Sequence, residues 1–133
     1  MEQGSSPTPR ELEILKVLWE LGPSTVKAVH LYAFLSQGIA YNTVQTLLRI
    51  MAGPEKRLVS ARLDGRIFVY TPLLSRDRHA ARFLDNVFDG AAAEMVQSLL
   101  RSERVSPGEL EQLQAMIDEA RQQNARPGRG GAA

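Results

Sequence analysis

Apolar residues recur along this chain with the helical period almost throughout, interrupted once by a short stretch that alternates. Leu12, Leu15, Leu18, Trp19 and Leu21 predict a first helix. Thr8 stands ready to cap it, Pro9 suits its first turn, and Glu11 completes a capping box. Trp19 reads as a core anchor. Gly22-Pro23 ends the helix, and Ser24 is placed to cap the next, Thr25–Leu35, with Val26, Val29, Leu31 and Leu35 as its apolar positions. A short turn at Gln37-Gly38 follows. Ala40–Met51 then predicts a third helix, in which Val44, Leu47, Leu48 and Met51 fall at i, i+3, i+4 and i+7. Residues 57–72, RLVSARLDGRIFVYTP, read as two strands around a tight Asp64-Gly65 turn.

Beyond Pro72 the pattern is helical again. Ser75–Asp89 carries Phe83, Leu84, Val87 and Phe88, and Gly90 breaks it. Ala91–Arg101 carries Met95, Val96, Leu99 and Leu100. Ser106-Pro107-Gly108-Glu109 repeats the capping-box opening and starts a helix with Leu110, Leu113, Met116, Ile117 and Ala120 near heptad spacing. Three short helices with one apolar stripe each make a poor core by themselves. They bury enough surface only against another copy or against the first domain. Dimerisation through Phe83, Val87, Phe88, Leu99, Leu100, Leu113 and Ile117 is the economical reading, and an intramolecular helical cap is the competing one. The expected organisation is a disordered N-terminus at 1–7, a winged-helix domain at 8–72, a helical dimerisation domain at 73–124 and a disordered tail at 125–133. The fold class is mainly α with a small β-hairpin wing: an N-terminal winged helix-turn-helix followed by a C-terminal helical dimerisation domain.

The polar face of the third helix changes the picture most. It carries Asn42, Thr43, Gln45, Thr46 and Arg49. A solvated face usually carries Glu and Lys, whereas hydrogen-bonding amides and hydroxyls with one cation suit base edges in a major groove. Arg62 and Arg66 flank the hairpin turn, where they can meet phosphates. Tyr41, and Thr25 at the start of the second helix, complete the candidate contacts, although simple capping explains Thr25 equally well.

Net charge over the 133 residues is only +1, but it is unevenly spread. Residues 1–39 hold three cations against four carboxylates, residues 40–72 five against two, and residues 73–133 eight against nine. A local excess is enough for phosphates, because screening confines the interaction to about 8–10 Å at physiological salt. There are no cysteines, which excludes disulfides, thiolate catalysis and Cys-based metal sites. His30 and His79 lack partners at ligand spacing and read as surface or interface residues, so no metal or cofactor is expected. No nucleophile–base pair, phosphate loop or carboxylate cluster suggests an enzyme. No apolar run is long enough to insert in a membrane, and the N-terminus lacks the marks of a signal peptide. The expected location is the cytoplasm.

Four segments occur together and in order: TPRELEILKVLWELGPSTVKAVH, AYNTVQTLLRIM, LVSARLDGRIFVYTPLLSR and VQSLLRSERVSPGELEQLQAMID. Over about Thr8–Ala120 the chain resembles the BlaI/MecI penicillinase-repressor family. The resemblance implies a homodimeric repressor that binds an inverted-repeat double-stranded DNA operator. It places Asn42, Thr43, Gln45, Thr46 and Arg49 on the recognition helix, and Arg62, Asp64, Gly65 and Arg66 on the wing. It also implies, for many members, a membrane sensor metalloprotease whose action on the repressor frees the DNA. Three departures qualify this. Copper-responsive relatives end in a Cys-rich motif that is missing here. The Asn-Phe bond of cleaved relatives is replaced by Gln97-Ser98-Leu99-Leu100, so a cut in the matching place falls at Ser98-Leu99. The connection Ala52–Arg57 is about two residues longer than usual, which would tilt the wing. The competing function is a winged-helix protein-interaction module without specific DNA binding.

Overall fold

The computed structural model describes residues 6–125. The expectations for residues 1–5 and 126–133 lie outside that range. The chain divides into two compact units, one ending at Arg82 and the other beginning at Phe83.

The first unit starts with α1 (Pro9–Leu21). The expected capping box is present. The Thr8 hydroxyl accepts from the Glu11 amide at 3.2 Å, and the Glu11 carboxylate accepts from the Thr8 amide at 2.9 Å. The buried ridge of α1 differs from the expected leucine stripe. It runs Glu11, Ile14, Leu15, Leu18, with Val17 beside it, while Leu12 and Leu21 are exposed. Helical periodicity allows either ridge, and the partners decide. Glu11 can be buried because its carboxylate serves the cap and also meets Lys56 Nζ at 3.0 Å. Trp19 is half-buried against the core, and its indole N–H donates to the Leu74 carbonyl at 3.0 Å.

The second helix does not have the expected shape, and of its two capping candidates only one caps it. Thr25, not Ser24, caps α2 (Val26–Val29), its hydroxyl accepting from the Ala28 amide at 3.1 Å. Ser24 is instead paired antiparallel with Tyr70, with N–H to carbonyl bonds of 3.0 and 2.8 Å in the two directions. The helix then widens into a π turn at His30–Phe34 and tightens into a 3-10 turn at Leu35–Gln37. Leu31 and Leu35 point outward, and Phe34 is fully buried. Leu35 lies nine residues after Val26, about two and a half turns, hence on the opposite side of the axis. The wider turn brings Phe34 round to the core in its place.

Gly38, at φ 74°, closes this segment, and α3 (Tyr41–Met51) follows. Its expected stripe is borne out: Val44, Leu48 and Met51 are fully buried and Leu47 partly so. The connection to the hairpin is tied at its ends by bonds from the Leu58 amide to the Met51 carbonyl and from the Arg57 amide to the Gly53 carbonyl. Strands β1 (Val59–Asp64) and β2 (Ile67–Pro72) pair antiparallel, Val59 opposite Pro72 and Asp64 opposite Ile67. The two loop residues are therefore Gly65-Arg66, one later than the expected Asp64-Gly65. Gly65 takes φ 68°, the conformation that a glycine in the first loop position supplies at low cost. Helices α1, α2 and α3 and this hairpin form a winged helix around one core.

The second unit continues α4 (Arg76–Phe88) and adds α5 (Ala92–Arg101) and α6 (Pro107–Ala125). Ser106 and Glu109 form the expected capping box at 3.1 Å in both directions. None of the described residues from Phe83 onward is buried within the chain.

Candidate nucleic-acid interface

The burial of Val44, Leu48 and Met51 decides which side of α3 faces out. On a helix of 3.6 residues per turn, Asn42, Thr46 and Arg49 lie opposite that stripe. All three are exposed, as is Thr43, whereas Gln45 sits half-buried on a flank. The candidate face thus centres on Asn42, Thr46 and Arg49. Ile50, 47% exposed on the same outward half, is an apolar position that the polar-face argument passed over.

Tyr41 lies at the start of the helix, 42% exposed. The His30 ring meets it edge-on with centroids 5.8 Å apart, and His30 Nε2 lies 2.8 Å from the Ile39 carbonyl. A carbonyl only accepts, so Nε2 carries the proton and the ring is held as a brace for Tyr41. His30 is therefore not a free surface residue. Nor is His79, whose ring packs on Trp19 with centroids 5.3 Å apart and whose Nε2 is buried without a partner. Burial, and then Arg82, hold its pKa below the ordinary value.

Thr25 uses its hydroxyl oxygen as the α2 cap, which leaves the hydroxyl proton able to donate. On the hairpin, Arg62 faces the same side as its cross-strand partner Val69, and Arg66 sits in the loop. Ion pairs among the described residues join Arg10 to Glu13 and Lys56 to Glu11. Arg49, Arg62 and Arg66 are in neither, so among the described residues their charges are uncommitted. No group of His, Asp or Glu able to hold a metal occurs among the described residues.

The wing also brings a residue that sequence reasoning did not single out. Tyr70 is only 5% exposed, and burial raises its pKa while the Arg49 charge of the recognition face opposes the rise. Its place in a strand gave no sign of where the hydroxyl end emerges.

In the second unit, Phe83, Val87, Leu99, Leu100 and Ile117 are each 43–54% exposed, and Phe88 and Leu113 are half-buried. Phe83 and Phe88 pack with ring centroids 6.3 Å apart. Val96, Leu110 and Met116 are further exposed apolar residues of this unit. Ser98 and Leu99 lie inside α5 and are exposed, with the Ser98 carbonyl accepting from the Ser102 amide at 3.1 Å.

No curated protein matches the chain. A family model described as penicillinase repressor matches residues 7–119, from the start of the winged helix well into α6. A match over that much of the chain, in register with a winged helix and the helices that follow it, places the protein in the penicillinase repressor family of transcriptional regulators.

Proposed function

We propose that this protein represses transcription by binding an inverted-repeat DNA operator as a homodimer. In this reading residues 8–72 read DNA, with α3 in the major groove and the wing on the flanking backbone, and residues 73–124 join two copies. The observation that carries it is the outward face of α3: hydrogen-bonding side chains and one uncommitted arginine, without a carboxylate, beside a hairpin with two further uncommitted arginines. Asn42 and Gln45 suit adenine, Arg49 suits guanine or phosphate, and Thr43 and Thr46 suit either kind of edge or a thymine methyl. A protein-docking face would favour apolar and aromatic anchors over amides and hydroxyls. Thr25 and Tyr41 join the backbone contacts.

The homodimer rests on the second unit. Three amphipathic helices with no buried residue cannot offset the entropy of ordering themselves. A second copy presents the same stripes and covers both at once. Repression of chromosomal genes sets the site of action in the cytoplasm, and no described helix is long and apolar enough to cross a membrane.

The reading includes release by proteolysis at or near Ser98-Leu99, carried out by a membrane sensor metalloprotease. A cut there would separate α6 from the rest of the dimer interface and unlink the two half-site contacts. The bond is helical, so α5 must open locally before it is cut. Mass spectrometry of protein from derepressed cells tests this part, and full-length protein throughout would rule it out.

The central experiment is selection of a duplex from random-sequence DNA by the full-length protein, followed by gel shifts over a range of salt. A palindromic consensus with strongly salt-dependent affinity is the expected outcome. Failure to enrich any sequence would overturn the reading in favour of a protein-interaction module.

A further inference from the structure

Tyr70 combines a buried ring with an unused hydroxyl. Its backbone is locked by the paired bonds to Ser24, and its ring lies in the core with that of Phe68 6.3 Å away. Its hydroxyl makes no hydrogen bond to any described residue. Among those residues the one fully buried side-chain nitrogen or oxygen without a partner is His79 Nε2. The Tyr70 hydroxyl therefore reaches the surface, and the Arg49 charge on α3 is close enough to oppose the rise that burial gives its pKa. A phenylalanine would fill the same core space, so the oxygen adds nothing to packing.

We propose that the Tyr70 hydroxyl donates a hydrogen bond to a DNA backbone phosphate at the seam between α3 and the wing, with the Arg49 guanidinium supplying positive charge beside it. This rests on the DNA-binding reading above. The chemistry fits a phosphate rather than a base. Tyr70 belongs to the hairpin, so it cannot enter the groove along with α3, and a lone donor beside a cation matches an anionic oxygen. Burial raises the phenol pKa, which keeps the proton on the donor. A donor on a ring already fixed by the core loses little freedom on binding, so most of the bond's strength appears as affinity.

The test pairs Tyr70→Phe with single methylphosphonate linkages, each of which removes one phosphate charge and acceptor, placed in the duplex that the wild-type protein selects. Tyr70→Phe in the full-length protein should melt at the wild-type temperature, since the hydroxyl has no partner among the described residues. It should bind about tenfold more weakly per half-site. Its salt slope should be unchanged because no charge is lost, whereas Arg49→Met should flatten the slope by about one. At one linkage the methylphosphonate should cost the wild type about tenfold more than it costs Tyr70→Phe. Equal affinity of the two proteins, or equal penalties at every linkage, would overturn the assignment while leaving DNA binding standing. A wild-type protein that selects no duplex would overturn both.

Discussion

Lys56 Nζ lies 3.0 Å from Oε1 of Glu11, a carboxylate that also accepts from the Thr8 amide. Glu11 opens α1, and Lys56 belongs to the connection between α3 and β1. One nearly buried carboxylate thus holds both the start of the fold and the joint that aims the wing. The Glu11 side chain is 4% exposed and that of Lys56 20%. Removing the cation leaves a buried charge with only one donor. Lys56→Met should cost about 3 kcal/mol. Adding Glu11→Gln should recover part of that loss, because a neutral amide tolerates burial better than an unpaired carboxylate. Urea unfolding of the two single variants and the double variant checks this. A loss below about 1 kcal/mol for Lys56→Met would show the pair to behave like a surface salt bridge.

His79 makes stability depend on pH in a definite direction. Burial, with Arg82 adding to it, depresses its pKa in the folded state. The unfolded chain then binds a proton at a higher pH than the folded chain does. Its contribution to stability is therefore complete above the unfolded value of about 6.5 and declines as pH falls from there toward the folded pKa. His79→Gln should remove this part of the decline. Trp19 is the single tryptophan and packs on His79, so its fluorescence follows the same titration. A fluorescence titration identical in wild type and His79→Gln would refute the coupling.

Within the recognition helix, position on the face should rank the effects. Asn42 lies at the centre of the exposed side and Gln45 on its flank. Asn42→Ala should cost about 1–3 kcal/mol per half-site and relax the preference at one base pair. Gln45→Ala should cost less. Binding assays against single-base operator variants measure both, and a larger loss for Gln45→Ala would move the centre of the face toward the wing.

The wing arginines should act differently. Arg62→Ala and Arg66→Ala should weaken all DNA sequences alike and flatten the plot of log affinity against log salt by about one per lost phosphate contact. A change in sequence preference with an unchanged slope would mean that these side chains read bases.

Dimer formation should depend on residues beyond Arg82. The full-length protein should sediment as a dimer at micromolar concentration, and a chain ending after Arg82 as a folded monomer with much weaker operator binding. Ending the chain at Pro72 should be worse. That cut removes Leu74, whose carbonyl accepts from the Trp19 indole, and His79, which packs on the same ring. The lost hydrogen bond alone should cost about 1 kcal/mol. A monomeric full-length protein would sink the dimer proposal.

Local signals were legible where a residue's role depends on its near neighbours. Thr8 with Glu11 and Ser106 with Glu109 are capping boxes because the partners stand three residues apart. The α3 stripe could be read because Val44, Leu48 and Met51 leave a single face for burial. The wing could be read because alternation around a glycine turn has few other solutions.

What the sequence by itself determined was the order and type of the elements and the polar character of the α3 face. Only the tertiary structure decided which residues meet across them. Ser24 left its cap because Tyr70, distant in sequence, offered two backbone bonds, and Phe34 displaced Leu31 and Leu35 because a π turn rotated it inward. Glu11 was buried because Lys56 arrived beside it, and Tyr70 came under the Arg49 charge because β2, held to Ser24, carries it there. The reason is common to all four. Periodicity specifies a face, but the energy of burial depends on what covers that face, and long-range contacts choose the cover.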